Sequence, residues 1–279
     1  MKIAISAEST IDLPQEILDK YNIKTVPFTI LLGDKLGLDG VITPNEIFDY
    51  VAKTKVLPKT SAVNEYQFKE HFEKLLEEND AVIHFSLSSE MSSAYANAVL
   101  ASKDLKNVYV IDSRSLSTGI ALLAIKASKM AQNGEDVEKI VSQMKIDTDK
   151  VQAGFVLNKL DYLRKGGRCS GLVCFGANLL QIRPQILVKN GKMAPYKKYR
   201  GNYDHCVEEY CRDTLAEFND NDKDVAFVTY TVASDVAVET AYNYLKNAGF
   251  KEIYKTNAGA TITSHCGPNT LGILFLKNN

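Results

Sequence analysis

The stretch TITSHCGPNTLGILF, Thr261–Phe275, joins a His-Cys pair to a Gly-Pro turn and an apolar run. His265 and Cys266 bring a base and a thiol, the atom types that nucleophilic catalysis needs. On an extended chain, however, adjacent side chains point to opposite faces, and Cys266 then reads as a buried, inert thiol. A Ser-His-Asp hydrolase needs an exposed serine, but the strand-turn-helix signature G-x-S-x-G is absent and no acid partner for His265 is identifiable from sequence. The pairs Cys169/Cys174 and Cys206/Cys211 each enclose four residues, a spacing found in some zinc sites. If DHCVEEYCRDTL is helical, a five-residue offset sets the second pair's sulfurs about 140° apart around the axis, which opposes shared coordination. No metal site is expected. RKGGRCSG lacks the Gly-Lys-Ser/Thr of a phosphate-binding loop and no G-x-G-x-x-G follows a strand, so no motif supports nucleotide binding and no cofactor is expected.

The remaining polar groups suit anion binding. SAEST, SLSSEMSS and DSRSLSTG each follow a short apolar run and precede a segment with helical periodicity. In an open parallel sheet such junctions lie at the carboxyl ends of the strands, beside helix N-termini whose free N–H groups favour an anion. The same Ser, Thr and Asp residues are also ordinary helix caps, and both readings stay open. Arg168, next to two glycines, either approaches an anion or decorates a solvated turn. Lys197, Lys198 and Arg200 in KKYRG form either a solvated face or a docking surface for an acidic or phosphate-handling partner.

These residues need elements to position them. KIAIS, AVIHFS and VYVID read as strands; Pro14 to Tyr21, Met91 to Ala101 and Ser117 to Asn133 read as helices, the last closed by Gly134. Strand alternating with helix predicts a parallel, doubly wound α/β sheet. TPNEIFDYVAKT and VNEYQFKEHFEKLLEEN add two amphipathic helices with Thr43 and Asn64 as N-caps. From about residue 151 the pattern becomes mixed α+β. VQAGFVLN reads as a strand, LDYLRKGGRCSG as a short helix entering a Gly-rich loop, and RPQILVKNGKMAPYKKYRG as a hairpin turning at Asn190-Gly191. A helix, a strand, a second helix and the closing strand LGILFL follow. Two domains are expected, an α/β domain over 1–150 and a smaller α+β domain over 151–279.

Bulk properties narrow the class. The 279 residues carry 33 Lys and Arg against 34 Asp and Glu, a net charge of −1, with no footprint for nucleic acid or a membrane surface. No segment approaches the roughly 18 continuous apolar residues of a membrane span, and the N-terminal apolar run is too short for a signal peptide. Five cysteines, an odd number, argue against a disulfide framework and for reduced thiols, so a cytoplasmic protein is expected.

Six ordered motifs carry a resemblance that runs through nearly the whole chain. ESTIDLP at 8–14, TSA at 60–62, SSEMSSAY at 88–95, VIDSRSLSTG at 110–119, LDYLRKGGRCSG at 160–171 and SHCGPNTLGILF at 264–275 together resemble the DegV family of bacterial fatty-acid-binding proteins. The resemblance implies a carrier, not an enzyme, that holds one long-chain fatty acid with its tail in an apolar tunnel between two domains. Members paired with a fatty-acid kinase present the carboxylate to it for acyl-phosphate formation and phospholipid synthesis, so such a kinase is the partner implied. By motif, Thr60 and Ser92 are similar to the carboxylate's hydrogen-bond donors, with Ser61 and the Ser93 N–H close by. His265 is similar to the family histidine near the carboxyl group, and Arg168 and Arg200 to basic positions at the site mouth or kinase-docking face. The chain departs from the pattern at Glu8 (Asp in the family), Ala62-Val63 (Gln-Pro) and Ser93 (Gly), the last adding a Cβ and hydroxyl beside the expected carboxylate. Two rival readings are a Ser92/His265 hydrolase or acyltransferase acting on lipid-like esters, and a lipid-sensing regulatory protein without a kinase partner.

Overall fold

The computed structural model describes residues 1–169 and 182–278. In chain order the elements are β1 Ile3–Glu8, α1 Gln15–Lys20, β2 Ile23–Val26, β3 Thr29–Leu32, β4 Lys35–Leu38, α2 Pro44–Thr54, β5 Lys59–Ser61, α3 Glu65–Leu76, β6 Ala81–Ser86, α4 Ala94–Ser102, β7 Val108–Asp112, α5 Thr118–Gln132 and α6 Val137–Asp147. They continue with β8 Val151–Leu157, α7 Asp161–Gly166, β9 Ile182–Lys189, β10 Lys192–Arg200, α8 Tyr203–Glu217, β11 Asn221–Tyr230, α9 Asp235–Asn247, β12 Glu252–Asn257, α10 Ala260–Cys266 and β13 Thr270–Lys277. The end of the Gly-rich loop, Ser170 and Gly171, and Cys174 lie outside the described residues.

Three sheets organise the chain. The first is parallel, in the order β2-β1-β6-β7, and its inner strands β1 and β6 are buried on both faces because helices cover both. The second has six strands in the order β10-β9-β8-β13-β11-β12, antiparallel except between β11 and β12. A small antiparallel sheet, β4-β3-β5, was not anticipated from sequence. Its strands are only three or four residues long, too short for alternation to stand out from loop composition.

Local chemistry explains several boundaries. Thr43 and Asn64 each close a capping box, accepting from the backbone N–H of Glu46 and Gln67 while those side chains return to the cap N–H. The β9–β10 hairpin turns through Asn190 and Gly191, both at positive φ, as a two-residue turn matched to strand twist requires. Helix α5 is apolar around most of its circumference and is buried for most of its length. It lies between the two larger sheets. One continuous core joins Ile5 and Ile83 of the parallel sheet to Leu123 of α5 and to Ala153, Phe155 and Leu274 of the mixed sheet. The change from parallel to mixed sheet begins at Val151, and apolar packing crosses that position without a break.

Candidate functional site

The loops at the carboxyl ends of the parallel strands are cross-braced. Glu8, the last residue of β1, is fully buried and accepts from the Leu87 N–H at 2.9 Å and the Ser86 hydroxyl at 2.5 Å, fixing where the chain leaves β6. Asp112 at the end of β7 accepts from the Ser89 N–H at 3.2 Å and its hydroxyl at 2.5 Å. The Ser88 N–H donates to the Ser115 carbonyl at 3.0 Å. Ser9 donates to Asp39 and Ser117 to Asp12. The hydroxyls of Ser9, Ser86, Ser88, Ser89 and Ser117 in SAEST, SLSSEMSS and DSRSLSTG thus brace these loops. Ser92 and Ser93, at the entry to α4, are left to line a cavity.

His265 sits on α10, a short helix and not an extended segment. The Gly259 N–H donates to Asp12 Oδ1 and the Ala260 N–H to Asp39 Oδ1, both at 2.8 Å, so two carboxylates distant in sequence anchor the helix start. Asp39 lies just beyond β4, in the small sheet's connection, and nothing in its sequence neighbourhood marks it. A Cβ at Gly259 would lie 3.0 Å from Asp12 Oδ1 and 3.1 Å from Asp39 Oδ1, so glycine is what lets the carboxylates close in. Burial, with Asp39 adjacent, holds the Asp12 carboxyl well above the usual carboxylate range, although Ser117 and the Gly259 N–H pull it back down. At the other end Gly267 takes φ 76°, and a Cβ there would run into the Tyr162 ring at 2.6 Å. Thr231 and Thr270 donate to the Gly267 carbonyl, and Thr270 also to that of Cys266. The helix that carries His265 is held at both ends.

The cavity, about 190 Å³, lies between the parallel sheet's loops, the small sheet, α10 and β10. Its polar side is made by Thr60, Ser92, Ser93, Arg168, Thr261 and His265; Phe28, Ala62, Leu87, Met91, Leu116, Met193, Ile262 and Cys266 supply the apolar side. Deeper, a narrow space of about 30 Å³ shares Leu116, Ile262 and Cys266 as walls and continues past Ala153, Phe155 and Leu274. His265 Nε2 and Thr60 Oγ1 are 2.8 Å apart. Nδ1 of the same ring is buried with no hydrogen-bond partner among the described residues, and a Cβ at Gly166 would lie 2.7 Å from it. Burial, then the Arg168 guanidinium, pushes the imidazole down to about 4, so His265 is neutral near pH 7. Burial also pushes the Cys266 thiol up to about 12, with Asp12 and Cys169 adding to the shift. A thiol in that range is no nucleophile at neutral pH.

Two of the candidate residues stand apart. Ser61 follows Thr60 on β5, so it points to the opposite face and is exposed, while Thr60 and Ala62 face the cavity. Arg200 ends β10 seven residues beyond Met193, roughly 20 Å along the strand at ~3.3 Å per residue, and is not among the lining residues. Gly166, Gly259, Asp12 and Asp39 shape the site but were not singled out in the sequence. Asp12 and Gly166 do fall inside quoted motifs; Gly259 and Asp39 carry no local signal.

Among the described residues, Ser92 and His265 form no hydrolytic pair. Ser92 Oγ accepts from the Ala94 N–H at 3.1 Å, and His265 turns to Thr60. A Ser-His-carboxylate series does occur elsewhere: Ser6 Oγ is 3.0 Å from His84 Nδ1, and His84 Nε2 is 3.4 Å from Glu8 Oε1. All three residues are fully buried, out of any substrate's reach. Cys206 and Cys211 lie buried in α8, and no cluster of His, Cys, Asp and Glu among the described residues suits a metal ion. No helix among them is long and apolar enough to cross a membrane.

A half-polar, half-apolar cavity at the strand ends of a parallel sheet, backed by a second mixed sheet, defines an α/β protein with a candidate ligand site. The chain belongs to the DegV family, whose model, described as "Uncharacterised protein, DegV family", matches residues 2–278. It is similar to a protein of Thermotoga maritima named "Fatty acid-binding protein", with 32% identity over 280 residues covering 98% of this chain and 96% of that one. A solved structure from Thermus thermophilus, described as fatty acid binding of a DegV family protein, superposes with a TM-score of 0.92 at 27% identity, covering 99% of this chain and 100% of that chain. A lipid-binding DegV structure from Thermotoga maritima gives a TM-score of 0.88 at 30% identity, with 100% and 99% covered. Those relatives are described as fatty-acid-binding or lipid-binding proteins.

Proposed function

We propose that this protein binds one long-chain fatty acid, its carboxylate among Thr60, Ser92, Ser93 and His265 and its tail directed past Leu116 and Ile262 toward Phe155 and Leu274. The observation that carries this reading is one cavity whose hydroxyl and imidazole groups face a deeper apolar space. Burying a sixteen-carbon tail at ~0.8 kcal/mol per methylene contributes on the order of 12 kcal/mol before ordering costs, so the headgroup needs hydrogen bonds and no ion pair. In the Nε2–H tautomer His265 donates to Thr60 Oγ1, and the Thr60 hydroxyl proton is free for the carboxylate. Nδ1 is then the unprotonated nitrogen, consistent with its lack of a partner.

A bound acid held by neutral donors passes to a partner without first breaking a salt bridge. On this reading the protein presents the acid to a fatty-acid kinase for acyl-phosphate formation, with Arg168 at the mouth and the exposed Ser61 and Arg200 on outer surface available to that partner. The division into 1–150 and 151–279 then separates the half that supplies Thr60, Ser92 and Ser93 from the half that supplies most of the tail's walls. Denaturing extraction of the purified protein followed by mass spectrometry is expected to release fatty acid in stoichiometric amount. A lipid-free preparation that also fails to bind acyl chains would overturn the reading.

A further inference from the structure

The largest of the cavities described lies behind the wall of the first. It is an open cleft of about 650 Å³ lined by Arg114, Gln152, Lys189, Tyr196, Phe218 and Lys277 among others, a size typical of small-molecule sites. Three chain segments form the partition, each giving neighbouring residues to opposite sides. Arg114, Gln152 and Gly191 line the larger cavity, while Leu116 and Met193 line the first and Ala153 the narrow space beyond it. The hairpin tip in this partition is tied to the loop that carries Ser92: the Ser88 hydroxyl donates to the Gly191 carbonyl at 2.7 Å, and Lys192 pairs with Glu90 at 3.2 Å.

Gln152 is the unexplained residue. It is 2% exposed, lines the cavity, and neither Oε1 nor Nε2 has a hydrogen-bond partner among the described residues. A buried amide with both ends unpaired is costly to keep, whereas an apolar side chain of similar size would fill the same place without that penalty. The surrounding charge is unbalanced toward cations. Arg114 stands 3.5 Å from Asp149, and Glu217 is taken by Lys197 at 2.8 Å and by the Tyr196 hydroxyl. No ion pair among the described residues engages Lys189 or Lys277.

We propose that this cavity is a second ligand site and that it takes a nucleotide. A primary amide offers an acceptor beside a donor, the complement of a purine edge that presents a donor beside an acceptor. Tyr196 and Phe218 supply aromatic surface for a ring, and Lys189 and Lys277 supply charge for a phosphate. No nucleotide motif occurs in the sequence because the groups come from β8, β10, β13, the end of β9 and the residue after α8, brought together only by folding.

Calorimetric titration of the full chain with AMP, with adenosine and with inorganic phosphate tests this. AMP is expected to bind saturably and at least tenfold more tightly than either fragment, and its affinity is expected to fall with added salt. Gln152→Leu is expected to lower AMP affinity tenfold or more without lowering the melting temperature. The lysine pair Lys189→Ser with Lys277→Ser provides a second test should the buried variant fold poorly, and is expected to weaken AMP and phosphate alike and flatten the salt dependence. Absence of saturable AMP binding, AMP binding no tighter than phosphate, or AMP affinity unchanged in Gln152→Leu or in the lysine pair would each overturn the proposal.

Discussion

At the scale of single residues, the proposed carboxylate site rests on the neutral groups of Thr60, Ser92 and His265. Replacing Thr60 by Ala or Ser92 by Ala is expected to weaken acyl binding by about 1 kcal/mol or more each, as for lost hydrogen bonds to a charged group. Unchanged affinity in the double variant would mean that the carboxylate lies elsewhere. Gly166→Ala tests the imidazole's position, since the new Cβ would press on Nδ1 at 2.7 Å while Gly166, within α7, has no positive φ that an alanine would strain. Several-fold weaker binding with little change in melting temperature is expected, and full affinity would show that the ring moves freely. The same imidazole gives a pH dependence. Its proton affinity drops from about 6.5 to about 4 on folding, so below pH 6.5 the unfolded chain takes up a proton that the folded chain refuses. Its contribution is therefore fully present above about 6.5 and lost progressively toward about 4, on the order of 3 kcal/mol in all. Burial, with the nearby His84 and Lys74, pushes His71 down to about 3, and it acts in the same window. The measurement is accordingly a difference: stability against pH should be flatter for His265→Gln than for the wild type, and parallel curves would contradict the assignment.

At the scale of elements, α10 is the part whose placement matters most. It is seven residues long, too short to be stable alone, and its position is set by Asp12 and Asp39 at one end and by Gly267, Thr231 and Thr270 at the other. Asp39→Ala removes an acceptor for both the Ala260 N–H and the Ser9 hydroxyl, and is expected to cost roughly 1–3 kcal/mol in denaturant unfolding. Binding is expected to fall with it, because His265 loses its fixed register against Thr60. Stability and affinity equal to wild type would remove α10's clamp from the account.

At the scale of the whole molecule, α5 is shared. Its apolar circumference is divided between the parallel and the mixed sheets, and one core runs from Ile5 through Leu123 to Leu274. Leu123→Ala is expected to cost ~2–5 kcal/mol, as large-to-small changes at fully buried sites do. The two halves should also melt together, with calorimetry showing a single transition that saturating fatty acid moves upward. Two resolved transitions would mean that the halves fold independently despite the shared core.

Periodicity and turn chemistry make much of the framework legible without coordinates. Apolar runs followed by helical patterns mark β1, β6, β7, α4 and α5, Asn190-Gly191 marks the hairpin, and Thr43 and Asn64 mark their helices, because each signal is local and repeated within one segment. Thr60, Ser92 and His265 were legible as candidates through ordered motifs. What only the tertiary structure decided is which of them meet. Alternation on a short strand turns Thr60 inward and Ser61 outward, and a long strand carries Arg200 away from the cavity. Asp12 and Asp39, 27 residues apart, converge on one helix end, where no local pattern foretells them. Gln152 is one polar letter in a strand until folding brings four other segments around the same space. Local propensity acts through neighbours in sequence, but a cavity is made by residues whose neighbours in space are set by the packing of whole elements.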